Sequence, residues 1–232
     1  MTMSCIKKTT ILLFLIFLMV PTIHWAQDNL TGYWNPQVAI NYDVTPNYSH
    51  NFSIENRSFF YRDSDVQLTV RQMDVNHFSN LRTRDNQSIG FGIKYRLRNL
   101  FNNEANNELR LTQQFNVTFK KASIRYGNRF RAEQRITREN TVHRFRYRFA
   151  VDFPLMGEKL DVGEPYLVIS TESLLSAGKS MTPEYDQRIT PKLGWVLSPT
   201  TKFQIGGEYR AENYTGSLEN ELFFLTELVL SL

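Results

Sequence analysis

The chain has a single cysteine among its 232 residues, and its position takes it out of the chemistry. Cys5 precedes the apolar run Ile11 to Val20, whereas a lipoprotein carries its modified cysteine just after such a run. Lys7 and Lys8 ahead of the run, Pro21 behind it and the cut region His24-Trp25-Ala26-Gln27 make residues 1–26 an expected export signal. Ala26 would be the last residue removed, although His24 is bulkier than the small residue usual two places earlier. The run falls well short of the ~20 apolar residues a spanning helix needs. The expected working chain, 27–232, therefore has no cysteine, which excludes disulfides, thiol nucleophiles and thiolate metal sites.

A strong charge imbalance is also missing. Two of the 27 basic residues, Lys7 and Lys8, leave with the signal, so 25 basic residues face 23 acidic ones. The basic residues alternate with apolar ones, and no nucleic-acid partner is expected. Histidine is scarce: His24 leaves with the signal, and His50, His77 and His143 have no metal-ligand spacing. Ser176-Ala177-Gly178-Lys179-Ser180 ends like a phosphate-binding loop but lacks that loop's first glycine. Asn-x-Ser/Thr triplets such as Asn47-Tyr48-Ser49 follow from the frequency of those residues. No cofactor is implied. The chain has no low-complexity linker, so 27–232 is expected to be one domain, and no segment of helical period reaches twelve residues.

What recurs instead is period two, in a chain with 17 Phe and 11 Tyr. In Ser88 to Arg98, Ile89, Phe91, Ile93, Tyr95 and Leu97 share one face, and Gly90, Gly92, Lys94, Arg96 and Arg98 the other. In Glu108 to Lys120 the apolar face is Leu109, Leu111, Phe115, Val117 and Phe119, against Glu108, Arg110, Thr112, Gln114, Asn116, Thr118 and Lys120. Thr141 to Phe153 alternates His143, Phe145, Tyr147, Phe149, Val151 and Phe153 with Arg144, Arg146, Arg148 and Asp152. The rhythm is readable again at 38–44, 52–61, 66–75, 124–136, 166–174, 188–197, 202–210 and 218–232.

Eleven candidate strands result, separated by turn chemistry such as Thr45-Pro46-Asn47 and Asp63-Ser64-Asp65. Several reach ten residues, the length of a tilted strand crossing a bilayer, where strands of soluble sandwiches are usually five or six residues long. In lipid every backbone polar group needs a protein partner, which a closed barrel supplies. The expected fold is therefore an all-β antiparallel transmembrane barrel of 10–12 strands, in the bacterial outer membrane. Such barrels normally have an even strand number, which favours twelve: either the segment near Trp34 is not a full strand, or one is hidden between Arg62 and Gln87.

The polar faces carry much arginine. Arg125, Arg129, Arg131, Glu133 and Arg135 share one strand face, and Arg144, Arg146, Arg148 and Asp152 follow on the next. Such a face suits a barrel lumen, where these groups pair with Glu133, Asp152, Glu172 and Glu208 or line water. Arg188 and Arg210 are expected on the same inner surface. The ladder either holds the lumen together or selects anions.

Arg131-Ala132-Glu133-Gln134-Arg135, then Arg144-Phe145-Arg146-Tyr147-Arg148, Glu172 at a strand end, Asp186-Gln187-Arg188 and Gly207-Glu208-Tyr209-Arg210 occur in an order that resembles the DUF2490 family, common in Bacteroidetes. The resemblance covers nearly all of the mature chain and is strongest from Leu109 onward. It implies an outer-membrane barrel with no assigned activity. Leu232 stands where many outer-membrane barrels end in an aromatic residue.

His77-Phe78-Ser79-Asn80 is the one catalytic-looking cluster, since His and Ser two apart share a strand face. The run resembles the active-site strands of two outer-membrane lipid hydrolases, phospholipase A and the lipid A deacylase. By that resemblance His77 is the base and Ser79 the nucleophile. The glycine that follows in phospholipase A is Leu81 here, and no third member is evident.

Three readings follow: a structural or porin-like permeation barrel, a lipid acyl hydrolase using Ser79 and His77, and a soluble periplasmic lipocalin-like binder. The first expects outer-membrane lipid and, during insertion, the barrel-assembly machinery as partners. The oligomeric state is left open.

Overall fold

A computed structural model of the protein describes residues 30–98, 106–179 and 181–232. The expected export signal lies outside the described residues. Among these, eleven strands run in chain order: β1 (Leu30–Thr45), β2 (Tyr48–Arg62), β3 (Asp65–Arg84), β4 (Gln87–Arg98), β5 (Glu108–Lys121), β6 (Ile124–Ile136), β7 (Thr141–Pro154), β8 (Pro165–Gly178), β9 (Glu184–Ser198), β10 (Thr201–Glu212) and β11 (Glu219–Ser231). Each consecutive pair is antiparallel, and the sheet closes on itself as a barrel.

The expectation of twelve strands is corrected to eleven. The segment around Trp34 is a full strand of 16 residues, and the stretch between Arg62 and Gln87 holds one strand of 20 residues. Eleven strands joined by hairpins leave the first and last pointing the same way. The barrel therefore closes on a parallel pair, and its backbone bonds show it: Leu232 N–H donates to Asn41 O at 2.8 Å, and Asp43 N–H donates to Leu232 O at 3.2 Å. One residue bonding to both neighbours of its opposite number is the parallel ladder pattern.

The hairpins have local causes. Asp63 and Ser64 both take positive φ, 53° and 64°, as the two-residue turn between β2 and β3 requires. Thr45 Oγ1 accepts from Tyr48 N–H at 3.1 Å across the Pro46-Asn47 turn. Ser176 to Gly178, the first three residues of the apparent phosphate-loop run, continue β8 instead of opening a helix, and Ser176 is buried, accepting from Arg144 Nε at 2.8 Å.

Alternation now has a spatial meaning. Along β4, Ile89, Phe91, Ile93 and Tyr95 are exposed on the outer wall, while Lys94 and Arg96 point inward. Glycines make room for inward rings: a Cβ at Gly92 would overlap Phe78, and one at Gly194 would overlap Tyr166. Among the described residues, seven buried side chains are hydrophobic and nineteen are polar or charged. Among the described residues, the compact apolar cluster is Tyr33, Phe223 and Leu225 with Phe59 against it, inside at the β1/β11 seam.

Candidate functional site

The inner wall is built by the polar faces of all eleven strands. It encloses a chamber of about 450 Å³ and a second of about 760 Å³. The second reaches the rim formed by the β7–β8 connection, where Glu158, Lys159 and Leu160 line it. Glu55, Lys94, Arg129, Arg131 and Arg148 line both, so they form the neck between the two.

The sequence-predicted charged residues all lie on this wall. Arg129, Arg131, Arg135, Arg144, Arg146, Arg148, Glu172, Arg188, Glu208 and Arg210 line the first chamber, and Arg125 and Asp152 the second. Glu133 is buried between strands, contacting Arg146 at 2.8 Å and Arg110 at 3.4 Å. Arg125 pairs with Asp152 at 2.8 Å, Arg146 with Glu172 at 3.3 Å, and Arg210 with Glu208.

The densest contacts involve residues outside that set. Asp74, fully buried, accepts from Arg96 Nε at 2.9 Å and from Lys94 Nζ at 2.9 Å. Glu108 accepts from Arg98 at 2.9 Å, from Arg135 at 2.9 Å and from Arg110. Glu55, Arg57, Arg71, Glu212 and Glu221 complete the first chamber. On β4 and β5 the same alternation could have found Lys94, Arg96, Glu108 and Arg110. On β2, Arg57 keeps the parity of Ser53 and Glu55, whereas on β3 the register shift opposite Arg57/Ser58 makes Arg71 an extra residue and hides it.

Fourteen basic side chains line the first chamber against five glutamates, with Asp74, Glu108, Glu133 and Asp186 buried in its wall. Cations are in excess. Among the described residues, three of the fourteen have no carboxylate within 4.0 Å: Arg57, Arg129 and Arg148. Arg57 is buried over the Phe223 ring, 4.8 Å from its centroid, a cation–π arrangement. Arg129 and Arg148 stand directly opposite each other on β6 and β7.

His77 and Ser79 fall on the outer wall, with Val75 and Leu81, and not in the lumen. The structure brings two unpredicted residues to them. Ser79 Oγ lies 3.3 Å from His50 Nδ1 and accepts from Tyr48 Oη at 3.3 Å. His50 Nδ1 lies 3.0 Å from His77 Nε2. The imidazole within reach of Ser79 is therefore His50, and His77 stands behind it. Cross-strand register (His50 opposite Ser79) makes this cluster, which sequence spacing along one strand does not encode. No carboxylate bonds to either imidazole among the described residues, and none of their His, Cys, Asp and Glu side chains group as a metal site.

Neither a curated protein nor a solved structure matches the chain. A family model does match, over residues 31–221, and it is described as a protein of unknown function. The chain belongs to the DUF2490 family.

Proposed function

We propose that the protein is an outer-membrane barrel that offers small anions a cationic path or resting place inside it. The observation that carries this reading is the inverted distribution of side chains: charge within, large apolar groups without. Ile54, Phe91, Phe130, Phe145, Ile189 and Phe224 are among the exposed hydrophobics, spread around the whole circumference. Water on such a wall is costly at about 25 cal/mol per Å² of apolar surface, and lipid removes that cost. The excess of guanidinium on the inner wall raises the local concentration of anions relative to cations.

The test is electrical. The mature chain, 27–232, refolded in detergent and added to a planar lipid bilayer under a KCl gradient, should give discrete steps with a reversal potential on the chloride side. Steps preferring potassium would overturn the anionic reading. Recovery of the protein in a detergent-free periplasmic wash would overturn the membrane reading and favour a soluble binder.

One observation favours a second reading. Tyr48, His50, His77 and Ser79 are hydrogen-bonded together on the wall that would face lipid. A serine whose hydroxyl proton can pass to His50 is the minimum for attack on a lipid ester. If Ser79→Ala and His50→Ala leave acyl release from outer-membrane lipid unchanged, this reading is removed.

A further inference from the structure

We infer that the neck between the two chambers is a binding site for a doubly charged tetrahedral oxyanion, with phosphate, free or carried on a small solute, as its ligand. The inference rests on reading the inner wall as a cationic, solvent-filled lumen, but not on passage of current through it.

The argument begins with register. Arg129 faces Arg148 directly across β6 and β7, and the next inward rung sets Arg131 opposite Arg146. Opposed residues on neighbouring strands have Cβ atoms about 5 Å apart, and like charges so placed destabilise the pair. In the second rung carboxylates relieve the repulsion: Arg146 contacts Glu133 at 2.8 Å and Glu172 at 3.3 Å, and Arg131 approaches Glu133 at 3.8 Å. In the first rung nothing does. Glu172 is the register partner of Arg148, yet it is turned toward Arg146 and Arg188.

Arg129, one of the uncompensated pair, and its strand neighbour Arg131 are nonetheless held in place. Arg129 Nε donates to Asn116 Oδ1 at 2.8 Å, and Arg131 donates from a terminal nitrogen to Gln114 Oε1 at 2.9 Å. Arg131 also lies over the Phe78 ring, 5.3 Å from its centroid. Neutral amides orient these groups without neutralising them. Arg131 Nε is buried with no hydrogen-bond partner among the described residues. Among the described residues, the terminal nitrogens of Arg129 and the whole guanidinium of Arg148 have no protein partner, and both arginines line the neck with Arg131. Guanidinium forks match oxyanions with paired N–H···O bonds, geometry that a spherical chloride cannot use as fully. Three forks meeting from two strands suit a tetrahedral dianion better than a planar monoanion.

The experiment is a titration of the refolded mature barrel in detergent, at constant ionic strength, with inorganic phosphate, with glycerol phosphate and with chloride, followed by calorimetry. Phosphate should bind about ten-fold or more tightly than chloride, and Arg129→Gln with Arg148→Gln should abolish that preference. Tighter binding of the monoester would assign the phosphate to a solute, and equal binding would assign it to the free ion; both support the site. Equal affinity for phosphate and chloride would overturn it, as would a phosphate preference that survives in the double variant. If that variant does not refold, Arg148→Lys keeps the charge but loses the fork, and retained phosphate affinity there would overturn the site equally. Binding is read in micelles, so a barrel that binds phosphate but passes no current would fail the permeation reading alone.

Discussion

Glu108 accepts hydrogen bonds from Arg98, Arg110 and Arg135 while almost wholly buried. A buried ion pair is no guarantee of net stability, but removing one partner leaves the others uncompensated. Glu108→Gln keeps the shape and leaves three guanidinium groups around a neutral amide. It should lower unfolding stability by about 3–5 kcal/mol, read as an earlier urea midpoint in folded detergent samples. Gln72→Glu would not compensate, because Gln72 bonds to Asp74 in another part of the network. At this scale the sequence spoke clearly where alternation is unbroken. The arginines of β6 and β7 keep strict parity from Arg125 to Asp152, so their common face could be read directly. Arg71 has no partner opposite it, because the register passes from Gln72 at Arg57 to Val70 at Ser58; that extra residue breaks period two on β3. Ser79 and His50 are 29 residues apart and meet through strand pairing, for which no spacing rule along the chain exists.

At the scale of the strand, the outer face of β4 tests what surrounds the barrel. Ile93 sits midway along the strand with lipid or water outside it. In a bilayer midplane, Ile93→Arg should cost about 2–4 kcal/mol, whereas the same change on a water-facing wall should be nearly neutral. Urea unfolding in lipid vesicles distinguishes the two, and a neutral result would count heavily against insertion. All eleven strands lie where alternating segments could be read, because each strand has one polar and one apolar face and the hairpins carry turn residues. The closure was not legible. Evenness is a habit of bacterial barrels and not a physical requirement, and a parallel pair between the first and last strands leaves no local mark in either.

For the molecule as a whole, that pair is the one join made without a hairpin. Trp34 Nε1 donates to Thr226 Oγ1 across it at 3.3 Å, and Tyr33 stacks on Phe223 at 4.8 Å between ring centroids. Tyr42→Cys with Leu232→Cys, at the positions that the backbone bonds set opposite each other, should cross-link in residues 27–232, which have no other cysteine, and the oxidised protein should stay compact on a gel after boiling until reduced. A pair that never oxidises in the folded protein would refute a β1–β11 neighbourhood. Parallel closure also has a consequence for sidedness. In an even barrel the polypeptide enters and leaves at the same rim. Here β1 begins at one rim and β11 ends at the other, so in a membrane the two tails would emerge into different compartments. A tag placed after Leu232 and one placed before Leu30 would then report on opposite faces of the same bilayer, and insertion would have to carry one of those tails across it.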